Sequence, residues 1–320
     1  MKAIQLHEHG GPEVMHLNDV TLPDLALGMV RVKIAAAGLN FIDIYQRSGV
    51  YKIALPYTPG MEASGTVEAV ATDVTDFKVG DRVAYGFTAG SYAQYANVPA
   101  NKLVPIPASV SFAQGAALML QGMTAHYLVT DTFAVKPGHT ILIHAAAGAT
   151  GQLVVQMAKL RGARVIATAS NQDKLTIARS LGADEAVLYD NFDNDVKRLT
   201  DGRGVDVVYD SVGKDTFERS LNCLRPRGVL ALFGQASGPV APLDPQILNA
   251  KGSLFLTRPS LGHYIATKDE MLSRTNEMFD WVAAGTLVAR IDRELPLAEA
   301  PAAHIALASR GTTGKVLLIP

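Results

Sequence analysis

Residues 140–151 read T-I-L-I-H-A-A-A-G-A-T-G. Ile141-Leu142-Ile143 is a short apolar, β-branched run of the kind a strand buried on both faces needs. Small residues and glycine follow. Residues 152–160 (Q-L-V-V-Q-M-A-K-L) then place apolar side chains at helical spacing. Strand, tight turn and helix in succession are the context in which a glycine pattern marks a phosphate site. Aligned on G-x-G-x-x-G, the segment offers Ala146, Gly148 and Gly151, with alanine in place of the first glycine. Gly148 would let a pyrophosphate approach the backbone, and Gly151 would let the helix pack close to the strand. The N–H groups of Ala149 and Thr150 at the helix start would then meet the anion, aided by the positive end of the helix dipole. The bland alternative is a plain βα turn; the flanks favour dinucleotide binding.

Outward from this stretch, residues 125–260 carry a βαβα rhythm. Strands are expected at 141–144, 164–168, 186–189, 205–209, 229–233 and 253–256, with helices between most of them, as at 173–181 and 216–224. Apolar strands alternating with helices predict an α/β fold with a doubly wound parallel sheet, and a cofactor outside the carboxyl ends of its strands. Residues 1 to about 120 read differently. Short strands are expected at 1–6, 30–34, 65–70, 79–85 and 91–98, separated by turns such as Pro59-Gly60. This spacing predicts a mostly β, barrel-like domain. A helix is expected at 112–119. The tail holds helical patterns at 268–284 and 298–309 and a closing strand at 315–319, which is expected to return to the first domain. The expected division is therefore 1–124 with 264–320, and 125–263.

Composition narrows the function. The 320 residues are 48% hydrophobic and 18% charged with a net charge of −1, so neither nucleic acid nor a membrane surface is an expected partner. No apolar run approaches the roughly 20 residues of a membrane span. The start, Met1-Lys2-Ala3-Ile4, lacks the features of a signal peptide. With Cys223 as the single cysteine, a cytoplasmic location is expected and a cysteine-rich zinc lobe is excluded.

The second nucleotide-domain strand ends at Thr168-Ala169-Ser170. An NAD-selective site usually has an acid here to bind the ribose 2′-OH. Ser170, Asn171 and Lys174 stand there instead. Hydroxyl, amide and ammonium donors suit a 2′-phosphate, which predicts NADPH over NADH. Asp173 fits the first turn of the next helix, where an acid is favoured. Arg310 is a second cation for the phosphate, or else a surface charge.

Several segments together resemble the medium-chain dehydrogenase/reductase superfamily. They are Ala37-Gly38-Leu39-Asn40-Phe41-Ile42-Asp43, Pro59-Gly60-Met61-Glu62-Ala63-Ser64-Gly65, Gly80-Asp81-Arg82-Val83, Tyr209-Asp210-Ser211-Val212-Gly213, and an A-x-x-G-x-x-G carried by Ala145, Gly148 and Gly151. Within it the chain is similar to the zinc-free NADPH:quinone oxidoreductases related to zeta-crystallin. The resemblance implies a Rossmann domain beside a GroES-like catalytic domain. Where the zinc alcohol dehydrogenases have a liganding cysteine and histidine, this chain has Asn40 and Met61, so no metal is expected.

Without a metal to polarise a carbonyl, the acceptor must itself be easy to reduce. Quinones meet that condition, and activated enones and enals meet it less strongly. The resemblance places Asn40, Tyr45 and Tyr51 at the reacting end, Asn40 beside the nicotinamide. Tyr45 either contacts cofactor or acceptor or packs in the core, and Tyr51 either covers the site or is an ordinary loop residue. Further cofactor contacts implied are Thr124, Tyr189, Ser211, Val212, Phe233, Gln235, Ser237, Phe255, Leu256 and Thr257. The 253–258 strand is expected at the sheet edge, pairing in a homodimer. Two other readings stay open. One is reduction of the C=C bond of an α,β-unsaturated ketone or aldehyde. The other is a non-catalytic NADPH-binding protein with an RNA-binding or structural role, which the absence of a basic stripe and the 7% aromatic content disfavour.

Overall fold

In the computed structural model, which describes Met1–Pro320, the chain begins with an antiparallel pair, β1 (Lys2–Gln5) and β2 (His16–Asp19). Next come β3 (Met29–Gly38), α1 (Phe41–Arg47), β4 (Glu62–Val70), β5 (Arg82–Gly86), β6 (Tyr95–Pro99), β7 (Leu103–Pro105) and α2 (Phe112–Tyr127). The nucleotide-type segment runs β8 (Thr140–Ile143), α3 (Ala149–Leu160), β9 (Arg164–Ala169), α4 (Gln172–Ser180), β10 (Glu185–Leu188), α5 (Phe192–Leu199), β11 (Val205–Asp210), α6 (Phe217–Cys223), β12 (Leu224–Leu232), α7 (Gln246–Ala250), β13 (Phe255–Thr257) and α8 (Leu261–Tyr264). The chain closes with α9 (Lys268–Ala283), β14 (Ile291–Pro296), α10 (Ala300–Ala308) and β15 (Lys315–Ile319). It divides into two units, Met1–Met123 with Ile265–Pro320, and Thr124–Tyr264.

The second unit is built on a six-stranded sheet in the order β10-β9-β8-β11-β12-β13, every pair parallel. Ile141, Leu142 and Ile143 on β8 are completely buried between β9 and β11. Each contributes roughly 1.5–3 kcal/mol relative to an exposed side chain, which explains the unbroken apolar run. The chain leaves β8 on one side and β11 on the other, so the sheet's direction of winding reverses between them. Ligands of open α/β sheets bind at such a point.

In the first unit β3 is the hub of a seven-stranded sheet, pairing antiparallel with β4, β6 and β15. Its alternation puts Val30, Val32 and Ile34 in the core and Lys33 outside. The closing strand returns here as expected, with Leu317 opposite Gly38 and Leu318 opposite Ala37. Around this sheet the local signals were weaker. β2 (H-L-N-D) and β14 (I-D-R-E-L-P) are polar, β7 has three residues, and none of the three was anticipated. The strand expected from Ser91 starts only at Tyr95. The helix expected to stop at Met119 runs on to Tyr127 through Gly122. That glycine serves close packing rather than helix termination: a Cβ there would stand 2.9 Å from Sδ of Met278 and 3.1 Å from a Leu118 methyl.

Candidate functional site

The strand, tight turn and helix expected over residues 140–160 form as β8, the turn and α3. Gly148 is the extended N-cap of α3, and having no side chain it leaves the first helical N–H groups uncapped. Gly148, Ala149 and Thr150 are half-buried, so this helix end is open to a ligand. A Cβ on Gly151 would meet the Ala145 carbonyl oxygen at 2.3 Å and Ala146 Cα at 2.8 Å, so the helix lies directly against the turn. Ala145 adopts φ +52°, the left-handed region that favours glycine. Its N–H donates to the Tyr189 hydroxyl at 2.8 Å. Tyr189, expected among the cofactor contacts, thus tethers the turn after β8.

Ser170 and Asn171 are exposed just beyond β9. Asn171 caps α4, its Oδ1 accepting the Lys174 N–H at 3.0 Å. Lys174 is half-buried in the first turn and Asp173 is exposed beside it. After β11, buried Asp210 accepts the N–H groups of Val212 (2.8 Å) and Gly213 (3.0 Å) and the hydroxyls of Thr216 and Ser220. These bonds shape the Ser211–Val212 turn. Ser237 closes the neighbouring loop: its hydroxyl donates to Val212 O at 2.7 Å and accepts the Asp215 N–H at 3.0 Å. Phe233 and Gln235 lie half-buried on that loop, and Thr124 is half-buried on α2. His144 at the end of β8 is sealed between Thr168 Oγ1 (2.7 Å) and Ser220 Oγ (2.9 Å). Burial lowers its pKa, so it is a neutral structural imidazole. Phe255 is 62% exposed on the edge strand β13, with Leu256 and Thr257 beside it.

In the first unit, Asn40 opens α1. Its backbone N–H donates to Asp43 Oδ2 at 2.8 Å, a turn that its position before the helix favours. The side chain is not an open donor: Asn40 is 2% exposed, and Nδ2 donates to Glu62 Oε1 at 2.8 Å and to Gly38 O at 3.3 Å. Its oxygen accepts from Lys315 Nζ at 3.1 Å. Lys315 also donates to Leu39 O at 3.0 Å and to Glu62 Oε1. Glu62 uses its other oxygen to accept the Leu120 N–H of α2 at 2.6 Å. Gly38 is glycine because this cluster covers it; a Cβ would lie 2.3 Å from Glu62 Oε1 and 2.6 Å from Lys315 Cε. Burial lowers the Lys315 pKa, and the Glu62 carboxylate opposes that shift.

A hydrogen-bond chain supports Asn40 from behind. Arg47 can only donate, so its bond to His304 Nδ1 (3.0 Å) leaves Nε2–H of His304 facing the Tyr92 hydroxyl at 3.3 Å. Tyr92 in turn donates to Asp43 Oδ2 at 2.9 Å. Burial raises Asp43 to about 7 and lowers His304 to about 3. Tyr45 and Tyr51 form an edge-on ring pair with centroids 5.3 Å apart, and the Tyr51 N–H bonds to Tyr45 O at 3.0 Å. Tyr51 is exposed and Tyr45 half-buried, so the structure brings these two together. Arg310 is exposed just beyond the C-cap of α10, with φ +58°.

The donors at the zinc-ligand positions do not fit zinc. Asn40 presents its oxygen to an ammonium. Met61 Sδ accepts from Gln46 Nε2 at 3.6 Å with the Tyr57 hydroxyl 3.8 Å away. No three His, Cys, Asp or Glu side chains converge on a common point, whereas zinc in a catalytic site takes three such ligands. Sequence reasoning missed Lys315 and the tethering role of Tyr189. The signal for Lys315 was a lysine heading the otherwise apolar run K-V-L-L-I.

Two family models match the chain: "Alcohol dehydrogenase GroES-like domain" over residues 27–108 and "Zinc-binding dehydrogenase" over residues 149–282. A quinone oxidoreductase of Pseudomonas aeruginosa is 46% identical over 323 residues, covering 100% of this chain and 99% of that protein. A 2-haloacrylate reductase of Burkholderia is 42% identical, with 99% of this chain and 98% of that protein covered. The crystal structure of Escherichia coli quinone oxidoreductase complexed with NADPH superposes with a TM-score of 0.98 at 42% identity, both chains fully covered. With a six-stranded parallel sheet carrying the glycine turn before α3, a separate unit centred on β3, and full-length likeness to these proteins, the chain belongs to the medium-chain dehydrogenase/reductase superfamily, in its quinone oxidoreductase family.

Proposed function

We propose that this protein reduces quinones with NADPH and without a bound metal, by hydride or electron transfer. The observation that carries this reading is the combination of an uncapped, glycine-cleared helix start of the dinucleotide type with a donor set at Asn40 and Met61 that is unsuited to zinc. The full-length identity to named quinone oxidoreductases supports it. The reduced nicotinamide supplies two electrons and a proton as hydride, and a second proton from solvent completes the hydroquinone. The chain's part is to bind the pyrophosphate on the N–H groups of Ala149 and Thr150 and to meet the 2′-phosphate with Ser170, Asn171 and Lys174. Val212, Phe233, Gln235, Phe255, Leu256 and Thr257 are the proposed strand-end contacts. Asn40, Tyr45 and Tyr51 line the reacting end, and Arg310 is a further cation for the phosphate.

The test is NADPH oxidation against a panel of quinones, enones and simple alcohols, with NADH and EDTA as controls. Quinone turnover that EDTA leaves intact is expected; alcohol oxidation abolished by EDTA would overturn the proposal. Reduction of an activated C=C bond is the second reading, favoured by the 42% identity to a 2-haloacrylate reductase. Higher kcat/KM on enones or haloacrylates than on any quinone would select it. The exposed apolar edge of β13 supports a homodimer, which gel filtration checks. No helix is long and apolar enough to cross a membrane. A single, buried cysteine fits the cytoplasm.

A further inference from the structure

A buried ammonium is costly unless it is paired and fully hydrogen-bonded. Lys315 meets both conditions. Its side chain is 2% exposed, that of Glu62 is 0% exposed, and its three N–H donors meet Leu39 O, Asn40 Oδ1 and Glu62 Oε1. Glu62 also accepts from Asn40 Nδ2, so the three side chains form a closed triangle. An asparagine amide is nearly symmetric in shape, and its orientation is set by what surrounds it. Here a rotation of the Asn40 amide by half a turn would press its oxygen against the Glu62 carboxylate and its N–H groups against the Lys315 ammonium. Both contacts would be repulsive. The triangle therefore admits one orientation. In it, one N–H is held firmly by Glu62, and the other rests on Gly38 O at a long 3.3 Å. That second N–H is the less firmly held of the two.

We infer that Lys315 is a positioning residue for the reduction: with Glu62 it fixes the direction of the Asn40 amide. The inference rests on the proposed place of Asn40 at the reacting end. The charged and titratable groups around the ammonium are Glu62 on β4 and Asp43 on α1, with Tyr92 bonded to Asp43.

The test is a cycle of variants in the full chain: K315M, the charge-balanced K315M/E62Q, N40A and K315M/E62Q/N40A. Thermal unfolding comes first and needs no activity. Removing one member of a buried pair destabilises more than removing both charges, so K315M should melt below K315M/E62Q. K315M melting at or above K315M/E62Q would show that the ammonium is not the counter-ion of Glu62. For quinone reduction, K315M/E62Q should lower kcat about 10- to 100-fold, as expected when a supporting hydrogen bond is lost. The dissociation constant for NADPH, read by fluorescence, should stay within about twofold. Adding N40A to K315M/E62Q should lower kcat no further. Multiplying effects would overturn the inference, because Lys315 would then act independently of Asn40, as would an unchanged kcat in K315M/E62Q. If the unmodified chain reduces no quinone, the proposed function fails, and the melting comparison still tests the pairing.

Discussion

The two glycines of the phosphate loop should fail in different ways, and the structure says how. A Cβ on Gly151 would stand 2.3 Å from Ala145 O and 2.8 Å from Ala146 Cα. Ordinary contact begins near 3.4 Å, so α3 must retreat by about 1 Å (3.4 minus 2.3). Both obstructing atoms are backbone, and no side-chain rotation relieves them. Overpacking of this kind costs about 1–3 kcal/mol. Alanine recovers about 1 kcal/mol through its helix propensity. Because rigid backbone obstructs it, the upper end of that cost applies, and the net loss for Gly151→Ala is about 2 kcal/mol, or roughly 4–8 °C in the melting of a unit this size. The helix start moves with it, so NADPH binding should also weaken about tenfold or more.

Gly148 has φ −75° and a single Cβ neighbour, Ala145 O at 3.2 Å. Alanine at this N-cap should cost only about 0.5 kcal/mol. If the cofactor's phosphates lie against this residue, Gly148→Ala must still weaken NADPH about tenfold, since the added methyl occupies the line of approach. Melting curves and fluorescence titration of NADPH measure both quantities. A Gly148→Ala protein with unchanged NADPH affinity would refute the phosphate placement, and a Gly151→Ala protein with unchanged melting would refute the packing argument.

Lys174→Ala should raise the KM for NADPH about 10- to 100-fold, the worth of one charge-assisted hydrogen bond, and leave NADH nearly unchanged; equal effects on both would remove Lys174 from the phosphate site. Tyr189→Phe deletes the acceptor of the Ala145 N–H and should cost about 1–3 kcal/mol in stability together with weaker NADPH binding. Burial raises Asp43 to about 7, above its unfolded value near 3.9, so its contribution is complete below about pH 4 and is lost as pH rises through 7. Asp43→Asn should flatten the melting temperature over that window, and a profile as steep as the parent's would count against it. His304, lowered to about 3, contributes in the opposite sense: its share is present above about 6.5 and is lost as pH falls toward 3. His304→Gln should reduce acid sensitivity in that range, which urea melts at several pH values would show.

The α/β class, the order of the six parallel strands' segments and the glycine turn between β8 and α3 were legible because their signals are local. An apolar run, a glycine and a helical period within residues 140–160 are already neighbours in space. The edge position of the strand at 253–258 was readable as well, since it is the last strand of the βαβα run. Polar or very short strands such as β2, β7 and β14 were not, because their pairing energy comes from partners rather than from their own pattern.

The centre of the first unit depended on tertiary structure altogether. Lys315 meets Asn40 across 275 residues and Glu62 across 253. Only the return of β15 to β3 brings the three together and makes Gly38 necessary. The sequence alone determined which residue types stand at the former metal positions. Which charged partners Asn40 meets was decided by the fold, because a buried charge selects its partners by proximity in three dimensions and leaves no periodic trace along the chain.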